Sequence, residues 1–261
     1  MGAIIREERI GPHRLILGDA LEVLPHIGPV DHLVSDPPYE ASLHAAKAHL
    51  SQLRFDGGSE MREIDFAAVD DIRADIVRLG AAHVRGWFIV FCTVEGTARW
   101  ADAINPSALK YKRACIWVKP DSAPQFNGQG PAQGAECFVT AWAGSGHARW
   151  NGGGKRGIYT HLVNGRDRDG RHPTEKPVKL MADIVRDFTA PDDLVADPFM
   201  GSGTTGVACA KLGRRFNGIE RDPKYFDIAC ERLALAHAQA DFFVPPSAAA
   251  KQETLSLEVP A

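Results

Sequence analysis

Cysteine is scarce and unpaired in this sequence: Cys92, Cys115, Cys137, Cys209 and Cys230 are odd in number, widely spaced and include no Cys-x-x-Cys pair. That pattern excludes a disulfide framework and a structural zinc site, so reduced thiols and no bound metal are expected. Long apolar runs are also missing. Nothing approaches the roughly 20 residues of a membrane-spanning helix, and Met1 to Arg9 carries no apolar signal core, so a soluble, cytoplasmic protein without membrane association is expected. Excess positive charge is lacking too: Lys and Arg total 30 against 33 Asp and Glu, a formal net charge of -3. A uniformly basic nucleic-acid binder is excluded, whereas a local basic surface is not. No internal repeat is evident.

What is present suffices for one substantial core. The 261 residues are 44% hydrophobic, and a single domain over 1–240 is expected, with 241–261 as a tail that opens on Asp241 and soon runs through Pro-Pro-Ser-Ala-Ala-Ala. Apolar runs of strand length fall at Arg14–Leu17, Val30–Val34, Trp87–Cys92, Ala114–Val118, Cys137–Trp142, Leu194–Ala196 and Phe216–Ile219. Helical spacing lies between several of them: Phe66 to His83, with Val69, Ile72, Ile76 and Leu79 on one face, and Pro177 to Phe188, with Leu180, Ile184, Val185 and Phe188. Further helices are expected over about Thr204 to Leu212 and Pro223 to Gln239. Strands alternating with helices imply a mostly parallel sheet covered on both faces, a three-layer α/β domain.

The run Val30 to Ser35 ends in Asp36-Pro37-Pro38-Tyr39. Such a tip lies at the carboxyl end of a buried strand, where open α/β sheets bind ligands. Two prolines fix φ and remove donors, leaving the Asp36 carboxylate and the carbonyls free to accept from an amine, and Tyr39 offers a face for stacking. The competing reading is a plain Pro-Pro turn. A second loop follows the strand that ends at Asp197: Pro198-Phe199-Met200-Gly201-Ser202-Gly203-Thr204-Thr205-Gly206. Its glycines permit a sharp turn and close approach of a ligand to a helix N-terminus. No Lys-Ser or Lys-Thr follows Gly206, so it is not a triphosphate loop, and the dinucleotide spacing is not matched. Glu220 ends the next strand, where an acid can accept both hydroxyls of a ribose or cap the helix opening at Asp222-Pro223.

Between the loops lie His172-Pro173-Thr174-Glu175-Lys176-Pro177, in which Thr174 can cap the following helix, and an irregular basic stretch from Gly144 to Arg171. There Arg149, Lys155, Arg156, Arg166, Arg168 and Arg171 face only Asp167 and Asp169, with Trp150 and Tyr159 interleaved. That mix suits phosphate neutralisation and base stacking; a solvated loop is the alternative.

In this order, the Asp-Pro-Pro-Tyr loop, the His-Pro-Thr-x-Lys-Pro segment, the Asp-Pro-Phe-x-Gly-Ser-Gly-Thr-Thr-Gly loop and Gly-Ile-Glu with Asp222-Pro223-x-Tyr225 and Arg232-Leu233 resemble the beta group of amino-methylating DNA methyltransferases. The resemblance spans nearly everything from Arg14 to Leu235. It implies a seven-stranded sheet with one reversed strand, and a motif order circularly permuted relative to other methyltransferases. It further implies that Asp197, Phe199, Gly201, Ser202, Gly203 and Thr204 hold S-adenosylmethionine, that Glu220 binds its ribose and Asp19 its adenine, and that His172, Thr174 and Lys176 lie near its methionine end. Asp36 and the carbonyl of Pro37, ahead of Pro38, would accept from the amine of a flipped base stacked on Tyr39. Double-stranded DNA is the implied partner, contacted by the basic stretch through a small recognition insertion at about 127–171, and a homodimer is left open. Aspartate at the head of the loop points to adenine N6; cytosine N4 is the alternative. The absence of a Pro-Cys dipeptide disfavours cytosine C5 chemistry. A non-catalytic nucleic-acid binder and, for an Asn-Pro-Pro-Tyr loop, glutamine methylation are the other readings, and the intact Asp36 argues against both.

Overall fold

A computed structural model of the chain describes residues 3–38, 69–124, 130–164 and 175–239. The chain opens with a hairpin, β1 (Ile4–Ile10) and β2 (His13–Gly18), whose turn is closed by Gly11 at φ 54°. A short helix α1 (Ala20–Val23) and a 3-10 turn (Leu24–His26) lead to β3 (His32–Ser35). Then come α2 (Val69–His83), β4 (Trp87–Cys92), α3 (Gly96–Ile104), β5 (Lys110–Val118), β6 (Ala135–Trp142) and β7 (Ile158–Thr160). The last third alternates: α4 (Val178–Phe188), β8 (Leu194–Asp197), α5 (Thr204–Lys211), β9 (Arg215–Glu220) and α6 (Pro223–Ala238).

The strands form one sheet in the order β1-β2-β9-β8-β3-β4-β6-β5-β7. Only β1 and β6 run against the rest. Alternation along β4 shows how the layers arise. Trp87, Ile89 and Phe91 enter the core shared with Leu180, Ile184 and Phe188 of α4 and with Phe226 and Leu233 of α6. Phe88, Val90 and Cys92 enter the opposite core with Ile76 and Leu79 of α2 and Trp100 and Ile104 of α3. Each fully buried aromatic such as Phe88 or Phe138 contributes about 1.5–3 kcal/mol of apolar transfer. No helix among the described residues is long and apolar enough to cross a membrane.

All seven expected strands are present; Trp87–Cys92 matches at both ends, and no end elsewhere is shifted by more than four residues. Among the described residues the sheet nevertheless has nine strands and two reversed ones, where the resemblance implies seven and one. The additions lie at the edges: β1 sets isoleucines on either side of four consecutive charged residues and is largely exposed, and β7 is three residues inside the glycine- and arginine-rich stretch. Segment 127–171, expected as a recognition insertion, therefore contributes β6 and β7 to the sheet. The helix expected from Pro177 begins at Val178, and its N-cap position is Pro177, without a side-chain cap, rather than Thr174. The first residues of the helix expected from Phe66, and the tail, lie outside the described residues.

Candidate active site

Chain direction across the sheet reverses between β3 and β8: the chain moves outward from β3 to β4 and, later, the other way from β8 to β9. At such a switch point the loops leaving two adjacent parallel strands diverge and open a crevice at their carboxyl ends. Here those loops are Asp36-Pro37-Pro38 and the glycine-rich loop after Asp197.

One carboxylate joins them. Asp197, the last residue of β8 and 2% exposed, accepts from Ser35 Oγ at the end of β3 (2.6 Å), from Thr205 Oγ1 of α5 (2.6 Å) and from the Phe199 amide (3.1 Å). Burial pushes its pKa up to about 6, opposed by those three donors and reinforced by the nearby charge of Asp36. The glycine loop then turns at Gly201 (φ 52°) and Gly203 (φ 82°). A Cβ on Gly203 would lie 2.9 Å from Ala229 Cβ of α6, whereas one on Gly201 would meet nothing within 4 Å. Gly203 is thus demanded by packing as well as by φ, and the space above Gly201 is open. Glu220, at the end of β9, accepts from the Gly201 amide (3.0 Å) and the Asp222 amide (2.8 Å), and burial raises its pKa. Asp222 in turn caps α6 through the Lys224 amide, ahead of Pro223.

The other cofactor candidates divide. Asp19 stands at the carboxyl end of β2, the neighbour of β9, and caps α1 by accepting from Leu21 and Glu22. Phe199 is half-buried. Ser202 and Thr204 turn inward: Arg232 of α6 donates to the Ser202 carbonyl (2.8 Å), to Ser202 Oγ (2.9 Å) and to Thr204 Oγ1 (3.4 Å), and pairs with Glu175. Lys176, expected near the methionine end of a cofactor, donates to Asp36 Oδ2 at 2.5 Å and approaches Glu136 Oε2 at 3.4 Å. Asp36 is half-buried, Pro37 buried and Pro38 half-buried. Tyr39, His172 and Thr174 lie outside the described residues, as do Arg166, Arg168 and Arg171.

The remaining basic residues are not brought to this crevice. Trp87 begins β4 and pairs with Trp142, which ends the reversed β6, and the Trp87 indole donates to the Arg149 carbonyl. Arg149 therefore sits at the amino ends of the parallel strands, opposite Asp36. Trp150 packs edge-on against Phe188, and the neighbouring Asn151 donates to the carbonyls of Arg186 and Thr189 at the end of α4. Lys155 pairs with Asp187 and covers the Tyr159 ring, and Arg156 precedes the amino end of β7. A charge-and-aromatic pattern in sequence could not distinguish the two ends of a sheet. Ser35, Thr205, Glu136, Glu175 and Arg232 were not singled out for the roles they play here. Of these, Thr205 and Arg232 carried a signal, as named positions of the recognised motifs, and Glu175 stood at the unspecified position of the His-Pro-Thr-x-Lys-Pro segment.

The comparisons with known proteins agree with this geometry. Residues 141–231 match the sequence profile of the N6/N4 methyltransferases, described as DNA methylase. Type II methyltransferase M2.LlaDCHI of Lactococcus lactis subsp. cremoris is 26% identical over 237 residues, 84% of this chain and 88% of that protein. Type II methyltransferase M2.DpnII of Streptococcus pneumoniae is 50% identical over 64 residues, 24% of each chain. The crystal structure of an M1.HpyAVI–SAM complex superposes with a TM-score of 0.65 at 28% identity, covering 84% of this chain and 98% of that one. The cytosine-N4-specific PvuII DNA methyltransferase shares the fold at 17% identity, with a TM-score of 0.66 over 84% of this chain and 86% of its own. By sequence and by fold, the chain is similar to the N6/N4 DNA amino-methyltransferases.

Proposed function

We propose that this protein transfers a methyl group from S-adenosylmethionine to the exocyclic N6 amine of an adenine flipped out of double-stranded DNA. The observation that carries the reading is the Ser35–Asp197–Thr205 junction, which holds the Asp36 loop beside the glycine loop in one crevice. The order of the loops along the chain, acidic loop first, supports the permuted arrangement of the beta group.

The residues present fit the cofactor. Gly201 leaves open space beside a backbone turn, Glu220 closes the far wall as an acceptor for ribose hydroxyls, and Asp19 borders the same rim. Asp197 and Phe199 would form the floor, with Gly203, Ser202 and Thr204 shaping the loop from behind. S-adenosylmethionine supplies an electrophilic methyl group on a sulfonium. The protein's task lies with the amine, whose lone pair is delocalised into the ring. Acceptors on both of its hydrogens, the Asp36 carboxylate and the Pro37 carbonyl, favour a pyramidal nitrogen and stabilise the positive charge that develops there. Unstacking the base requires a few kcal/mol, offset by stacking, the role assigned to Tyr39, and by backbone contacts. No thiolate is needed.

DNA contacts are assigned to Arg166, Arg168 and Arg171. The described residues flanking them support this: Asn164 is bound to Asp121 beyond the carboxyl end of β5, and Glu175 adjoins Lys176 at Asp36. Aspartate at the head of the loop favours adenine over cytosine N4. An Asp36→Ala protein is expected to bind S-adenosylmethionine as the parent does while kcat falls by at least about 100-fold. Full turnover in that variant, measured by methyl incorporation into DNA, would remove Asp36 from the mechanism.

A further inference from the structure

We propose that Lys176 is the positioning residue of the reaction: anchored on Glu136, it holds the Asp36 carboxylate in the orientation that receives the target amine. The inference rests on the reading of Asp36 as the amine's acceptor and assigns Lys176 to the catalytic loop rather than to the cofactor. Lys176 is 8% exposed. Its ammonium lies 2.5 Å from Asp36 Oδ2, 3.4 Å from Glu136 Oε2 and 5.2 Å from the centre of the Phe91 ring. Each of these contacts comes from a different strand or its loop: Asp36 follows β3, Phe91 is in β4, and Glu136 is in β6.

The anchor is itself fixed. Glu136 also pairs with Lys119, which follows β5 and lies over the Trp117 ring at 4.8 Å. On the main chain, the preceding residue, Glu175, is buried against Arg232, which grips Ser202 of the glycine loop. Two consecutive residues thus hold the two loops of the crevice, Glu175 the glycine loop and Lys176 the acidic one.

Charge decides what Lys176 can do. Burial lowers its pKa, but Asp36 and Glu136 outweigh that and raise it, so the side chain stays an ammonium at working pH. It cannot take a proton from the methylated amine. A carboxylate offers about four lone-pair positions, and occupying one on Oδ2 locks the group's rotation while leaving acceptor capacity for the amine. Among the described residues, the charged groups facing this cluster include Asp36, Glu136 and Lys119, with Asp197 of β8 close enough to feel Asp36.

Two readouts test the proposal on the full chain with S-adenosylmethionine and unmethylated duplex DNA. In Lys176→Met, kcat is expected to fall about 100-fold with cofactor Kd unchanged, and Lys176→Arg should recover part of the loss. Glu136→Gln should lower kcat less, and add nothing in the double variant with Lys176→Met. Independently of any substrate, carbon-13 NMR titration of the Asp36 carboxyl should show its midpoint higher in Lys176→Met than in the parent. Should Lys176→Met not fold, Lys176→Arg and Glu136→Gln carry the same comparison. Undiminished turnover, a Kd that worsens as much as kcat falls, or an unmoved Asp36 midpoint would each overturn the proposal. If the parent protein failed to methylate DNA while the Asp36 midpoint still moved, the assigned function would fall and the Lys176–Asp36 coupling would stand.

Discussion

At the residue scale, two buried titratable groups pull stability in opposite directions. His13 is 2% exposed, its Nδ1 has no hydrogen-bond partner among the described residues, and its ring lies edge-on to His237 at 5.3 Å. Burial first, and the His237 charge second, push its pKa from 6.5 down to about 4. Between those values the unfolded chain holds more protons, so stability falls as pH drops. Asp197 behaves oppositely. Its pKa rises from 3.8 to about 6, the folded state holds more protons in that window, and stability falls as pH rises through it. Each effect is at most about 3 kcal/mol, so the two largely cancel between about pH 4 and 6. Replacing His13 by Leu should expose the Asp197 slope. Relative to the parent, His13→Leu is expected to gain about 2 kcal/mol between pH 7 and 4.5 in urea unfolding, and a pH-independent difference would contradict this assignment. Neither titration was legible in sequence: His13 lies one residue ahead of the expected strand and carried no signal, and Asp197 was marked by resemblance as a cofactor residue, not as a buried acid.

At the element scale, the glycine loop is held from behind by α6. Arg232 and Glu175 have side chains 4% and 1% exposed, and the Arg232 guanidinium also binds the carbonyl and hydroxyl of Ser202. Removing one partner of a buried pair leaves a charge uncompensated and costs about 3–5 kcal/mol, whereas removing both with apolar groups costs less. Arg232→Met should therefore lower stability by about that amount, and Arg232→Met with Glu175→Met should be more stable than the single variant. A double variant as unstable as the sum of the singles would show that the two side chains act independently. The sequence carried the helix itself, through its cap at Asp222-Pro223, and the structure buries its Phe226, Ala229 and Leu233. It did not show which residue faced the loop, because Arg232 and Glu175 are 57 positions apart and meet only when α6 packs beside α5. Elements marked by apolar periodicity were readable for the same reason that they are buried. Strand β1, edged with charge, and the three-residue β7 were not, because edge strands need little apolar sequence to pair.

At the scale of the whole molecule, strand order does what no motif can. It brings loops far apart in sequence to the crevice between β3 and β8, and it sends Arg149, Trp150 and Lys155 to the other end, where Trp150 and Lys155 brace α4. The acidic and glycine loops were legible because their chemistry is compressed into a few consecutive residues. Where the described basic residues fall was not legible, because charge composition carries no direction along a strand. The central claim, amino methylation of adenine in DNA, is tested most directly by identifying the product. Purified protein is incubated with S-adenosylmethionine and unmethylated double-stranded DNA, and the digested nucleosides are resolved by mass spectrometry. N6-methyldeoxyadenosine is the predicted product. N4-methyldeoxycytidine would contradict the base assignment while keeping the amine mechanism, and no methylated nucleoside despite bound cofactor would contradict the claim as a whole.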